Sequence, residues 1–142
     1  MMKPKKIYSK FVPARGYISI LILFWMVVRE EYRNKIPWFA EIHEGIHLQQ
    51  LIELLLLGVG VFVILIKEGY GWWSVLSLFL FYIWYVIEFL VKLLFTSSWR
   101  KAYMSISFEQ EAYGNHLEKK YLERRPAFCW IKYIFKLNNN YV

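Results

Sequence analysis

Two long apolar stretches limit what this chain can become. Leu48 to Ile66 is interrupted only by Gln49, Gln50 and Glu53, and it closes at Lys67-Glu68-Gly69. After a short glycine-containing loop, Trp72 to Phe95 runs for 24 mainly apolar residues, with Glu88 and Lys92 its only ionisable acid and base. A helix needs about 20 residues to cross a bilayer. The chain has 142 residues and is 58% hydrophobic. That leaves too little polar chain to cover both stretches in a soluble domain. The expected fold is therefore mainly α and integral to a membrane, with a two-helix transmembrane hairpin at its centre. Trp72, Trp73 and Trp99 stand at the ends of the second stretch, where aromatic side chains favour the membrane interfaces.

The charge sets an orientation. The 18 Lys and Arg exceed the 11 Asp and Glu, for a net charge of +7. Eight basic residues precede the hairpin and eight follow Thr96, whereas the loop between the helices holds only Lys67. By the positive-inside rule both termini face the cytoplasm, in an inner or cytoplasmic membrane, with the lipid bilayer as partner. No nucleic-acid motif accompanies the charge, so nucleic acid is not expected as a partner. Cys129 is the one cysteine and excludes an intrachain disulfide; it is expected to be packed. Met1 to Lys10 is basic, but Pro13, Arg15 and Gly16 interrupt any apolar run behind it, so no cleavable signal peptide is expected.

The remaining segments complete a single membrane-embedded domain over 1–142. Residues 1–15 read as a basic, irregular arm. Residues 17–28 form an apolar run too short to span a bilayer; their β-branched and aromatic content suits a short β-strand or hairpin, with an interfacial helix as the alternative. A strand ahead of a catalytic helix can offer its edge to an extended peptide. Pro37 suits a first helical turn, and a helix over 37–66 would run without a break into the first membrane crossing. The second crossing covers 72–95. The aromatic tail, 126–137, reads as a surface amphipathic helix, and Asn138 to Asn140 as a frayed end.

The chemistry lies in His43-Glu44-Gly45-Ile46-His47. Residues four apart share a helix face, so the two imidazoles can reach one metal ion. Glu44, turned about 100° from His43, is placed to take a proton from a metal-bound water. Gln50 faces the same side as His47 and can line the site. A second stretch runs from Ser105 to His116. Ser107 and Gln110 form a capping-box pattern, predicting a helix over 107–122 that starts near Phe108. Glu109, Ala112, Tyr113 and His116 share one face of it. The hairpin returns the chain to the membrane face it left, so Glu109 meets His43 and His47 there despite the sequence separation. Glu53, Glu88 and Lys92 are expected to form a polar cluster beneath the site.

His43-Glu44-x-x-His47 followed by Glu109-x-x-Ala112 resembles the gluzincin metallopeptidases. The chain as a whole is similar to small, uncharacterised predicted membrane peptidases of the Bacteroidetes type. The resemblance implies zinc held by His43, His47 and Glu109, with Glu44 as general base. Many gluzincins have Asp where this chain has Tyr113, and Glu111 is an alternative third ligand. Tyr113 or His116 would stabilise the oxyanion. The expected function is a membrane-embedded zinc metallopeptidase acting on a peptide or membrane-protein substrate, with its active site on the cytoplasmic side. Two other readings compete: hydrolysis or transfer of a lipid-linked amide or ester, and a non-catalytic scaffold stabilised by zinc. The small size leaves room for a homo-oligomer that completes the substrate cleft.

Overall fold

The computed structural model describes residues 4–96 and 98–138, and its secondary structure is mainly helical. Met1 to Lys3 of the basic arm, and Asn139 and Asn140 of the expected frayed end, lie outside the described residues. The chain divides into two compact units, one formed by Met1–Gln49 with Glu111–Pro126, the other by Gln50–Gln110 with Ala127–Val142.

The first unit contains a three-stranded sheet of β1 (Lys5–Ser9), β2 (Ser19–Ile22) and β3 (Trp25–Arg29) in the order β1-β3-β2. The central β3 runs parallel to β1 and antiparallel to β2. Met26 and Val28, two residues apart, are fully buried on one face of β3 and pack against Ala40, with Tyr8, Ile18 and Phe39 beside them. This period of two in burial is that of a strand, the element expected within 17–28. The run resolves into a hairpin rather than an interfacial helix. The arm departs from expectation. Lys5 to Ser9 is a strand because β3 offers it a parallel edge, with Ile7 opposite Val27 and Tyr8 opposite Val28. Its own composition gives no such signal.

Helix α1 (Trp38–Lys67) begins directly after Pro37 and continues unbroken for 30 residues. In the first unit its Ile46 packs with Ala112, Tyr121 and Leu122. Gly45, inside the histidine motif, lies so close to Leu122 that a Cβ there would stand 2.7 Å from Leu122 Cδ1. The helix expected over 107–122 is split into α4 (Ser107–Asn115) and α5 (Tyr121–Arg124). Asn115 turns its side-chain amide back onto the Glu111 carbonyl at 2.7 Å. Gly114 before it and the charged Glu118-Lys119-Lys120 after it give the helix no apolar face to continue.

The second unit carries the rest of α1, a 3-10 segment (Gly71–Phe79), α2 (Leu80–Phe95), α3 (Trp99–Met104) and the first residues of α4. The crossing expected as one helix over 72–95 therefore starts as a tighter coil. Ser74 Oγ donates to the Gly71 carbonyl at 2.6 Å, and Ser77 Oγ to the Ser74 carbonyl at 2.7 Å. Both bonds reach back three residues, the 3-10 repeat. Ser77 Oγ also donates to the Gly58 carbonyl at 3.0 Å. A Cβ on Gly58 would stand 2.1 Å from the Ser77 carbonyl oxygen, so two backbones touch where a glycine permits it. The tail forms a 3-10 turn (Cys129–Tyr133) rather than the amphipathic helix expected over 126–137. Its carbonyls are engaged elsewhere: Lys92 Nζ donates to those of Ile134 and Lys136, each at 2.6 Å.

Both α1 and the Gly71–Phe95 segment are long and apolar enough to cross a membrane. Only 22% and 17% of their most apolar stretches is buried in the protein, whereas the core helix of a soluble protein would be mostly covered. The contact at Gly58 gives a paired test. Gly58→Ala should lower the unfolding midpoint in bicelles by an amount equivalent to about 1–3 kcal/mol of overpacking. Gly60→Ala, where a Cβ would meet nothing within 4 Å, should leave it in place.

Candidate metal centre

In the first unit, one turn of α1 separates His43 from His47, and their Nε2 atoms stand 3.1 Å apart. Two nitrogens on one tetrahedral zinc ion would stand about 3.3 Å apart, given bonds of roughly 2.0–2.1 Å. The pair is thus already at ligand spacing. His47 is buried and His43 half-buried. Glu44 is 4% exposed, and its Oε1 accepts a 2.8 Å hydrogen bond from Ser19 Oγ on β2. Tyr113 sets its ring edge-on to His43 at 4.6 Å, and His116 lies 5.9 Å from His43 and 5.6 Å from Tyr113. Burial pushes the His116 imidazole below its usual pKa, and neighbouring His43 adds to the shift, while a backbone hydrogen bond with Ala112 opposes them. The neutral imidazole is favoured.

In the second unit, Glu109 is 3% exposed and its Oε1 accepts a 2.7 Å hydrogen bond from the Tyr85 hydroxyl. The preceding carbonyl, Phe108, receives Gln50 Nε2 at 3.3 Å. Gln50 follows His47 by three residues on α1. Its amide thus holds the backbone next to Glu109.

Among the described residues, His43, His47 and Glu109 form one group whose ligand atoms all lie within 4.8 Å of one another. Two imidazole nitrogens and a carboxylate oxygen at that spacing can hold a metal ion. Glu111 has a different assignment. It is fully buried, takes Arg125 in a two-point ion pair at 2.6 and 3.0 Å, and accepts the Tyr121 hydroxyl at 2.9 Å. Two residues apart on a helix means about 200° of rotation, so Glu109 and Glu111 look in nearly opposite directions.

The capping box does not form. The Ser107 N–H and hydroxyl both donate to Glu88, at 3.0 and 2.6 Å, and Gln110 Nε2 donates to the Ser105 carbonyl at 2.7 Å. A buried carboxylate is the stronger acceptor and takes the serine from its cap. Glu88 is also 3.8 Å from Lys92, the ion pair expected of the polar cluster. Glu53 joins through indoles: Trp130 Nε1 donates to it at 3.2 Å, Trp84 Nε1 donates to Glu88 at 3.1 Å, and the two indole rings lie 5.8 Å apart.

Sequence reasoning missed Ser19, Tyr85, Tyr121 and Arg125. Ser19 is a hydroxyl between Ile18 and Ile20, and Tyr85 is a phenol one turn ahead of a carboxylate in an apolar stretch; both signals were present. Arg125 reads as tail charge until its partner is seen. The chain matches no protein-family model, no curated protein and no solved structure.

The two carboxylates are separable by experiment. Glu109→Gln should abolish stoichiometric metal binding, measured by elemental analysis of purified protein. Glu111→Gln should keep the metal while lowering stability by about 3 kcal/mol, because Arg125 is left buried without its charge partner.

Proposed function

We propose that this protein is an integral membrane zinc hydrolase, and specifically a metallopeptidase resembling the gluzincins. The observation that carries the reading is the convergence of His43, His47 and Glu109 into one ligand group. Two nitrogens and one oxygen form a donor set that suits zinc and leaves room for water. Bound there, zinc would bring the pKa of a water towards neutrality and polarise a substrate carbonyl. The protein supplies the rest. Glu44 accepts the proton of the attacking water at a carboxylate that Ser19 holds in place. Tyr113 and the neutral His116, both beside His43, are the donors available for the developing oxyanion. A closed structural zinc site has no use for such a buried, oriented carboxylate next to a ligand.

The choice of a peptide over a lipid rests on the sheet. β2 is an edge strand, and its Ser19 is bonded to Glu44. An extended chain added at that edge would run beside the general base. In this reading α1 and α2 cross the membrane as a hairpin, and the basic flanks hold both termini and the active site on the cytoplasmic side. A second copy of the chain would complete the cleft of so small an enzyme.

Glu44→Gln should keep zinc and reduce hydrolysis of a library of apolar fluorogenic peptides inserted in detergent micelles by about 10²–10⁴-fold. His43→Ala should lose the metal. Ser19→Ala should keep zinc and lose about tenfold in rate through a less well oriented Glu44. Purified wild-type protein without stoichiometric zinc would end the proposal.

A further inference from the structure

We infer that the metal centre lies within the thickness of the bilayer, below the cytoplasmic interface, and that it receives a membrane-inserted polypeptide from the lipid side. This rests on the metallopeptidase reading and adds a depth and a route to it.

The depth follows from each helix separately. Tyr85, which holds Glu109, is followed by ten residues of α2 before the helix ends at Phe95, a length of about 15 Å. Over those ten residues every exposed side chain is apolar: Val86, Ile87, Leu90, Val91, Leu94 and Phe95. The two ionisable residues of the same stretch, Glu88 and Lys92, are 5% and 4% exposed and point at protein donors and carbonyls. In water this would be an apolar stripe about 15 Å long, which soluble surfaces rarely carry. In lipid it is the ordinary outer face of a spanning helix, with polar groups satisfied inside.

Tryptophans mark the limits. Trp72 and Trp73 are 90% and 74% exposed at one end of the second crossing, and Trp99 is 69% exposed past the other. Tyr85 falls near the middle of that interval. On α1, Trp38 is exposed at the first residue, with Lys119 Nζ 5.2 Å from its ring, a pairing suited to a headgroup layer. His43 and His47 lie about 7 and 14 Å along the helix from it. Both helices therefore place their parts of the centre inward of an interfacial aromatic.

At that depth a water-soluble peptide has no direct approach, whereas a segment already in the bilayer diffuses to the site laterally. The edge of β2 beside Glu44 favours a polypeptide, unwound to an extended strand, over a phospholipid.

The test uses the full chain in phosphatidylcholine/phosphatidylglycerol vesicles with Cys129→Ser as background. Spin labels at Val86→Cys, Leu90→Cys and Lys35→Cys are compared for relaxation by oxygen, which favours lipid, and by a water-soluble nickel chelate. The inference expects labels at 86 and 90 to be several-fold more accessible to oxygen and the label at 35 to show the reverse. Cobalt is then bound in place of zinc. It should relax lipid acyl-chain protons more than choline headgroup protons, and His43→Ala should remove the effect. Labels at 86 and 90 that favour the nickel chelate, or relaxation confined to headgroups, would overturn the depth. Release of lysophospholipid by wild type but not by Glu44→Gln would overturn the polypeptide assignment. Failure to bind cobalt would instead count against the metal reading, while the labels, which need no metal, still decide the depth.

Discussion

An ionisable side chain carried into an apolar helix must find its partners within the protein, because lipid and close-packed side chains offer none. Glu88 meets this demand by taking both the N–H and the hydroxyl of Ser107, the first residue of α4. One turn earlier on α2, Tyr85 donates to Glu109. The next residue between them, Phe108, has its carbonyl bound by Gln50 of α1. Three consecutive residues at the start of α4 are thus each fixed by a separate hydrogen bond. The solvation of one buried carboxylate has become the positioning device for another.

The region sorts its carboxylates by partner. Glu111 is matched with Arg125 and Tyr121, and Glu88 with Lys92, Ser107 and Trp84. These pairings hold structure. Glu109 is grouped with two imidazoles, and Glu44 with a single serine hydroxyl. The same logic explains why α5, a single turn of helix, matters: it brings Tyr121 to Glu111 and Leu122 against Gly45. It thereby gives Glu111 a hydroxyl partner, and it packs the turn between the two histidines.

The readable part of the sequence was the part governed by local periodicity. Four-residue spacing put His43 and His47 on one face, and length with hydropathy marked both long helices. β-Branched and aromatic content marked the 17–28 run as a short strand or hairpin, which is where β2 and β3 lie. What stayed hidden depends on partners distant in sequence. Lys5 to Ser9 becomes a strand only because β3 presents an edge. Ser107 looked like a cap because Glu88 is invisible from its neighbours. The tail looked helical until Lys92 claimed its carbonyls. Gly71 to Phe79 tightened into a 3-10 coil through serine back-bonds and the close approach of Gly58, neither of which alters its apolar pattern. The choice of Glu109 over Glu111 was likewise undecidable without Arg125, fourteen residues further on.

The long helices of this chain do two jobs. The helix that carries His43, Glu44 and His47 is also one of the two long and apolar enough to cross a membrane. That economy creates a sensitivity to axial movement. A slip of α1 by one turn would displace the histidines by about 5.4 Å, more than the 4.8 Å within which the donor atoms of His43, His47 and Glu109 lie. Apolar faces in lipid resist such a slip only weakly, since any turn of leucines is as good as the next. Directional contacts have to supply the register. Lys6 on Glu41, Ser19 on Glu44, Gln49 on the Leu122 carbonyl, Gln50 on the Phe108 carbonyl, Ser77 on the Gly58 carbonyl and Trp130 on Glu53 are such contacts along α1. Few polar residues interrupt the first apolar stretch, and Gln49, Gln50 and Glu53 each make a contact of this kind, so the polar interruptions stand where the register is set.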